Sequence, residues 1–143
     1  MKLKNVLASV VLLAAPIAAF AAPIKISNDD AVALFGALSQ VKDGLTPSNV
    51  GAAGEDIYLL KGISDAYASA AAKANRDNDR AKSAKDPIAA AEAVQTNWDN
   101  FRHAEVSIDF VMLTAFTDQE IKDAKITPAI IAPIAHFLFP PKK

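Results

Sequence analysis

Three side chains that can bind a metal ion or transfer a proton lie within seven residues of one another. They are His103, Glu105 and Asp109. Imidazole nitrogens and carboxylate oxygens are common metal ligands and common general acids or bases. The spacing of two between His103 and Glu105 fits the start of a strand better than one face of a helix. These residues therefore suggest a small metal or acid–base site, against the simpler interpretation of a strand with one wet face.

The rest of the sequence excludes several kinds of chemistry. The chain has no cysteine, which rules out disulfides, thiol catalysis, thiolate metal sites and covalent c-type haem. No serine nucleophile elbow, P-loop or dinucleotide-binding glycine motif occurs. The second histidine, His136, lies in an apolar stretch and is interpreted as a half-buried or surface residue. We therefore predict no catalytic residue and no cofactor.

The candidate cluster lies where the hydrophobic pattern changes period, within residues 86–113. Asp86-Pro87 is a strong helix start, with Asp86 as the N-cap. A helical period followed by a period of two predicts a helix that leads almost directly into a strand, over residues 106–113. The only tryptophan is expected to lock this helix and strand into one hydrophobic core. The apolar residues that set the two periods are Ile88, Ala91, Val94, Trp98 and Phe101, then Val106, Ile108 and Phe110.

Two further helices are predicted before this stretch. Ser27 or Asn28 can cap a first helix that runs to about Lys42, with Gly44 as its left-handed C-cap. Residues 45–54 contain Gly51 and Gly54 and are predicted to be a loop. Residues 55–76 read as the longest helix, which should form an antiparallel hairpin with the helix that starts at residue 87.

Two shorter helices should follow the strand. Thr117 and Glu120 have the spacing of a capping box, and Thr127-Pro128 starts an apolar terminal helix. A lone strand needs a partner, and residues 23–26, residues 114–116 or another subunit can supply it. The predicted fold class is mainly α with a minor β element: an N-terminal helix, a helical hairpin, one short strand pair and a C-terminal apolar helix.

The N-terminus has the features of a secretory signal peptide. Lys2 and Lys4 precede an uncharged apolar run, and Ala19-Phe20-Ala21 predicts cleavage after Ala21. Residues 1–21 would then be the signal peptide and residues 22–143 a single domain, exported to a bacterial periplasm or the medium. Contact with the membrane would be transient, during export. A retained segment, and with it a membrane-tethered accessory protein, is the alternative.

The partner classes follow from charge and from the C-terminus. The net charge is −1, which gives no reason to expect a nucleic acid partner. The terminal helix is apolar on most faces, so it is either buried in the monomer or available to a protein partner or a second copy. The candidate interaction residues in this helix are Ile130, Ile134, Phe137 and Leu138.

The order of motifs resembles that of small phage- or prophage-encoded helical proteins of uncharacterised function. The resemblance is carried by Trp98 near a helix end, Glu105-Val106 opening a strand, and Ile126-Thr127-Pro128 opening a terminal helix. It covers the layout of residues 57–138 and implies a helical hairpin, a strand and a terminal helix, with no catalytic residues. The signal peptide departs from that group.

The sequence favours a non-enzymatic binding, assembly or accessory protein. Residues 45–54 and the terminal helix are the expected interaction surfaces. The alternative function is a periplasmic metal-binding protein or enzyme that uses His103, Glu105 and Asp109.

Overall fold

The structure is a computed structural model that describes residues 21–111, 113 and 116–138. The predicted signal peptide and its Ala19-Phe20-Ala21 motif lie, apart from Ala21, outside the described residues. The fold is mainly helical with one two-stranded antiparallel sheet, which confirms the predicted fold class. Its elements in chain order are β1 (Ala21–Ser27), α1 (Asn28–Val41), a 3₁₀ turn (Lys42–Gly44), α2 (Pro47–Ala81), α3 (Pro87–His103), β2 (Glu105–Val111), α4 (Asp118–Asp123) and α5 (Pro128–Leu138).

The strand after α3 finds its partner at the start of the described chain. β1 pairs with β2 in antiparallel register, with Ile24 opposite Ile108 and Ala21 opposite Val111. Of the three partners that the sequence left open, the stretch around residues 23–26 is therefore the correct one. Ile108 and Phe110 are buried. Ser107 and Asp109, which alternate with them on β2, are exposed, as expected for a strand with one wet face.

The hydrophobic core lies between α1, the first half of α2, β2 and α5. Every side chain at its centre is fully buried: Leu34, Leu38, Val41, Leu60, Phe110 and Ile134. Ile134 was a candidate interaction residue and is instead a core residue, and Ile130 packs against the same core, partly buried. The side chains of Phe137 and Leu138 are not among those described. α5 continues through Pro133 rather than ending there.

The predicted loop at residues 45–54 is wrong, because α2 already begins at Pro47 with Thr46 as its N-cap. Ala52, Ala53 and Leu60 recur at helical spacing and are buried against the core. That burial offsets the cost of about 1 kcal/mol that each glycine imposes on a helix relative to alanine. α2 is consequently much longer than the helix predicted over residues 55–76.

The α2–α3 hairpin exists as predicted, but it is not the centre of the core. No residue of α3 is buried. Trp98 and Phe101 are only partly buried and pack with Tyr67 of α2, at ring centroid distances of 5.1 Å for Tyr67–Trp98 and 5.9 Å for Trp98–Phe101. The expectation that Trp98 joins helix and strand in one core is therefore wrong. The core is complete without it, and the hairpin has its own aromatic cluster.

Polar contacts attach the hairpin to the N-terminus of α1. Arg102 Nε donates to both carboxylate oxygens of Asp29, at 3.1 and 2.9 Å, and Tyr67 Oη donates to Asp29 Oδ1 at 2.5 Å. The amide side chain of Asn28, which is buried, donates to the Phe101 carbonyl at 2.8 Å. The Arg102 guanidinium holds the pKa of Asp29 below its usual value. Three helices therefore meet at one ionised carboxylate.

Gly44 is required for a reason other than the predicted one. It lies in the 3₁₀ turn, and no glycine in the described residues has a positive φ, so it is not a left-handed cap. A Cβ atom at this position would overlap the backbone of Ala124, closer than real Cβ atoms approach any neighbour. The close contact between the 3₁₀ turn and the end of α4 depends on this missing side chain.

Substituting the two glycines Gly44 and Gly36 should have opposite effects. We expect Gly44→Ala to lower the free energy of unfolding by about 1–3 kcal/mol, because the methyl group displaces the Ala124 backbone. Gly36→Ala, in open space within α1, should raise it by about 0.5–1 kcal/mol. Urea denaturation of both variants measures this difference. Equal effects would contradict the close approach at Gly44.

Candidate functional site: an apolar groove on the second helix

The three predicted metal ligands do not form a site. His103 is exposed, and its Nδ1 lies 2.8 Å from the Asp99 carbonyl. Glu105 and Asp109 are exposed on the wet face of β2. Within residues 21–111, 113 and 116–138, no three His, Asp or Glu side chains gather closely enough to hold a metal ion. The structure therefore gives this cluster the simpler role of a solvated helix–strand junction.

Among residues 21–111, 113 and 116–138, no helix combines the length and the apolar composition that crossing a bilayer demands.

An apolar groove runs along the exposed side of the first half of α2. We call it the α2 groove, and its lining residues are Val50, Gly51, Gly54, Glu55, Tyr58 and Leu59. Tyr58 is 80% exposed, and Val50 and Leu59 are 41% and 40% exposed. Exposed large apolar side chains that lie together, rather than singly, mark an interaction surface.

Helical spacing produces the groove. Val50, Gly54 and Tyr58 are four residues apart and form one row along α2, and Gly51 belongs to the adjacent row. A Cβ atom at Gly51 or Gly54 would meet no atom within 4 Å. The floor of the groove is therefore bare helix backbone, and its walls are side chains. Among the described residues, no packing contact requires either glycine, although both weaken the helix.

On the side opposite the groove, hydrogen bonds to α4 fix the start of α2. Glu120 of α4 is 3% exposed, and its Oε1 accepts hydrogen bonds from the Thr46 amide at 2.8 Å and from Asn49 Nδ2 at 3.0 Å. Its Oε2 accepts from the Thr117 amide at 2.8 Å, which completes the predicted capping box. Burial raises the pKa of Glu120, but these hydrogen bonds outweigh it and lower the pKa to about 2. The groove therefore lies on a segment whose start is anchored by an ionised carboxylate.

A second carboxylate fixes the middle of the segment. Asp56 is fully buried, and its Oδ1 accepts a hydrogen bond from the Val111 amide of β2 at 2.7 Å. Burial raises the pKa of Asp56 to about 7. With Leu60, one turn further along and also fully buried, this contact fixes the rotation of α2 that turns Tyr58 outward.

The hairpin has a cleft of its own, between α2 and α3. Val94, Trp98 and Phe101 line one side, and Lys73 and Asp77 lie on the other. Lys73 and Asp77 form an ion pair with each other, and the Lys73 ammonium lowers the pKa of Asp77. The two charged groups of this cleft are therefore paired with each other, whereas Tyr58 in the α2 groove is exposed to solvent.

The groove offers mainly a contact surface. Its residues include no histidine, serine, threonine, cysteine or lysine. What it provides is apolar contact, exposed backbone, one phenol and the carboxylate of Glu55. Tyrosine is prominent among residues that dominate protein interfaces, because its ring is large, rigid and polar at the tip.

Comparison with known protein families, with curated proteins and with solved structures finds no match. The resemblance to small phage-encoded proteins therefore stays a prediction, and the functional argument depends on the structure of this chain.

Part of the groove could be predicted from the sequence. The sequence predicts residues 45–54 to be a loop that binds a partner, and it does not single out Tyr58. The signal that could have revealed the surface was the spacing of four from Val50 through Gly54 to Tyr58. Interpreting Gly51 and Gly54 as loop residues concealed it.

Proposed function

We propose that this chain is an exported, non-enzymatic binding or assembly protein that holds an apolar helix of a partner protein in the α2 groove. The observation that supports this most strongly is Tyr58, which is 80% exposed beside Val50 and Leu59 on a helix whose other side is buried. In a stable monomer such side chains normally lie singly.

A partner helix matches the shape of the groove. Gly51 and Gly54 remove two side chains from the surface, so an apolar helix can approach the α2 backbone closely. Helices that bind in this manner present apolar anchors at spacings of three and four residues. Tyr58 would supply the largest contact, and Val50 and Leu59 would cover the flanks of the partner helix.

The N-terminal sequence and the composition support the proposed export. The predicted signal peptide and the absence of cysteine fit a bacterial periplasm, where the chain would meet its partner after cleavage following Ala21. Cleavage there removes the first residue of β1 and leaves the rest of the strand in place.

Site-specific photo-crosslinking tests the proposal. A photoreactive phenylalanine analogue at position 58, in the full chain expressed with its own leader, should give one discrete crosslinked product that mass spectrometry identifies. The same analogue at position 88 is the control, because Ile88 is 74% exposed but lies at the start of α3, outside the groove. Equal products at both positions, or none at position 58, would overturn the proposal. A crosslink between two copies of this chain would overturn the proposed partner protein and indicate self-association instead.

A further inference from the structure

Asp56 is a buried carboxyl group with incomplete hydrogen bonding. It is fully buried in α2, and its Oδ1 accepts the Val111 amide at 2.7 Å. Its Oδ2 is also buried, and no group of the described residues hydrogen-bonds to it. A buried carboxylate needs a cation or several donors to compensate the loss of water, and a single amide is insufficient.

Within the described residues, no positive charge faces Asp56 from the elements around it. The neighbouring charge that acts on it is the carboxylate of Glu55, which disfavours a second negative charge. α1, α3, β2 and the 3₁₀ turn pack on α2, and α4 is joined to its start through Glu120. Asp29 is paired with Arg102, which also lies near Asp99. The other charged groups of these elements are exposed: Asp30, Lys42, Asp43, Glu92, His103, Glu105, Asp109, Asp118, Lys122 and Asp123.

The position of Asp56 connects two parts of the fold. Val111, whose amide it binds, is the last residue of β2, directly after Phe110, which pairs with Ala22 of β1. Phe110, the residue before it, is fully buried in the core. A weaker contact between Asp56 and Val111 would therefore loosen α2 from the open end of the sheet.

We propose that Asp56 is a proton-dependent latch, which holds α2 against the end of β2 when it is protonated and favours opening of that contact to water when it is ionised. The Val111 amide binds the carboxylate more strongly than the neutral acid, but one hydrogen bond does not compensate the charge for its lost hydration. The neutral acid costs less to bury than the carboxylate, although its O–H has no partner among the described residues, and its carbonyl oxygen still accepts the Val111 amide. The ionised form places an uncompensated charge in the core. Because Asp56 lies on the buried side of α2, this regulation does not require a partner in the α2 groove.

The direction of the pH effect follows from the raised pKa. The pKa is about 7 in the folded protein, against 3.8 for an ordinary Asp. The stabilisation that comes from protonation is fully present below pH 3.8. It is lost as the pH rises through about 7, and above that it changes no further. The latch therefore loosens between mildly acidic and neutral pH.

Asp56→Asn gives a direct test, because the amide is similar in shape and cannot ionise. Between pH 4 and pH 8, we expect the folding equilibrium constant of the unaltered protein to fall by about a thousandfold relative to that of Asp56→Asn. Asp109→Asn, at an exposed position on β2, is the matched control and should follow the unaltered protein. Urea denaturation at both pH values measures the constants.

Two further measurements keep the inference testable if the variant folds poorly. In the unaltered protein, the carboxyl carbon of Asp56 should titrate near pH 7 by NMR. The Val111 amide should exchange with solvent more readily at pH 8 than at pH 5, after correction for intrinsic exchange. Titration below pH 5, or identical pH dependence in Asp56→Asn and the unaltered protein, would overturn the proposal.

Discussion

Replacing Glu120 with alanine is expected to lower the free energy of unfolding by about 3–5 kcal/mol. Glu120 is 3% exposed and accepts hydrogen bonds from Thr46, Asn49 and Thr117. Truncation removes the acceptor for the buried Asn49 amide and for the part-buried donors of Thr46 and Thr117 at once. It also removes the attachment of α4 to the start of α2.

Urea denaturation at pH 7 measures this loss, with Glu92→Ala as the control. Glu92 is exposed in α3, and its removal should change the free energy of unfolding by less than about 0.5 kcal/mol. A loss below 1 kcal/mol for Glu120→Ala would contradict the buried network.

The stabilisation from Glu120 should also depend on pH. Because its pKa is lowered from 4.5 to about 2 in the folded protein, its contribution is present above pH 4.5 and is lost as the pH falls towards 2. The destabilisation caused by Glu120→Gln should therefore shrink in acid.

Two substitutions that remove an aromatic ring should differ clearly in how much they lower the free energy of unfolding. Phe110→Ala removes a fully buried ring at the centre of the core and should cost about 3–5 kcal/mol. Trp98→Ala removes a larger ring, but one that is partly exposed on the hairpin, and should cost about half as much.

Thermal and urea denaturation of both variants check this order. If Trp98→Ala were the more destabilising change, the hairpin rather than the α1–α2–β2–α5 core would dominate stability. That result would restore the expectation from the sequence that tryptophan joins helix and strand.

Local signals in the sequence were sufficient for most helix boundaries. Ser27 caps α1, Asp86 caps α3 with Pro87 following, and Thr117 forms a capping box with Glu120, all as predicted. Each of these contacts joins residues within three positions of one another, so the sequence contains all of their partners. The change of period after α3 predicted β2 for the same reason.

The wrong predictions concern contacts between distant residues. Gly51 and Gly54 are helical because Ala52, Ala53 and Leu60 are buried against α1 and β2, which outweighs local propensity. The partners of Glu120 lie 71 to 74 residues away at Asn49 and Thr46. Composition and period carry no information about such pairings.

The candidate site shows the same limit. His103, Glu105 and Asp109 are close in sequence but point to solvent without forming a metal site. The groove residues share one surface because α2 starts at Pro47. Residues four positions apart lie on the same face of a helix but not of a loop.

Crosslinking at position 58 in two leucine variants tests the proposed function most directly. Gly54→Leu fills the groove, and Ala72→Leu enlarges an exposed side chain on the same helix, about four turns from Tyr58 and outside the groove. Gly54→Leu should also stabilise α2, since leucine favours helix more than glycine. We expect the crosslinked product to disappear in Gly54→Leu and to persist in Ala72→Leu. A product that persists equally in both variants would contradict binding in the α2 groove.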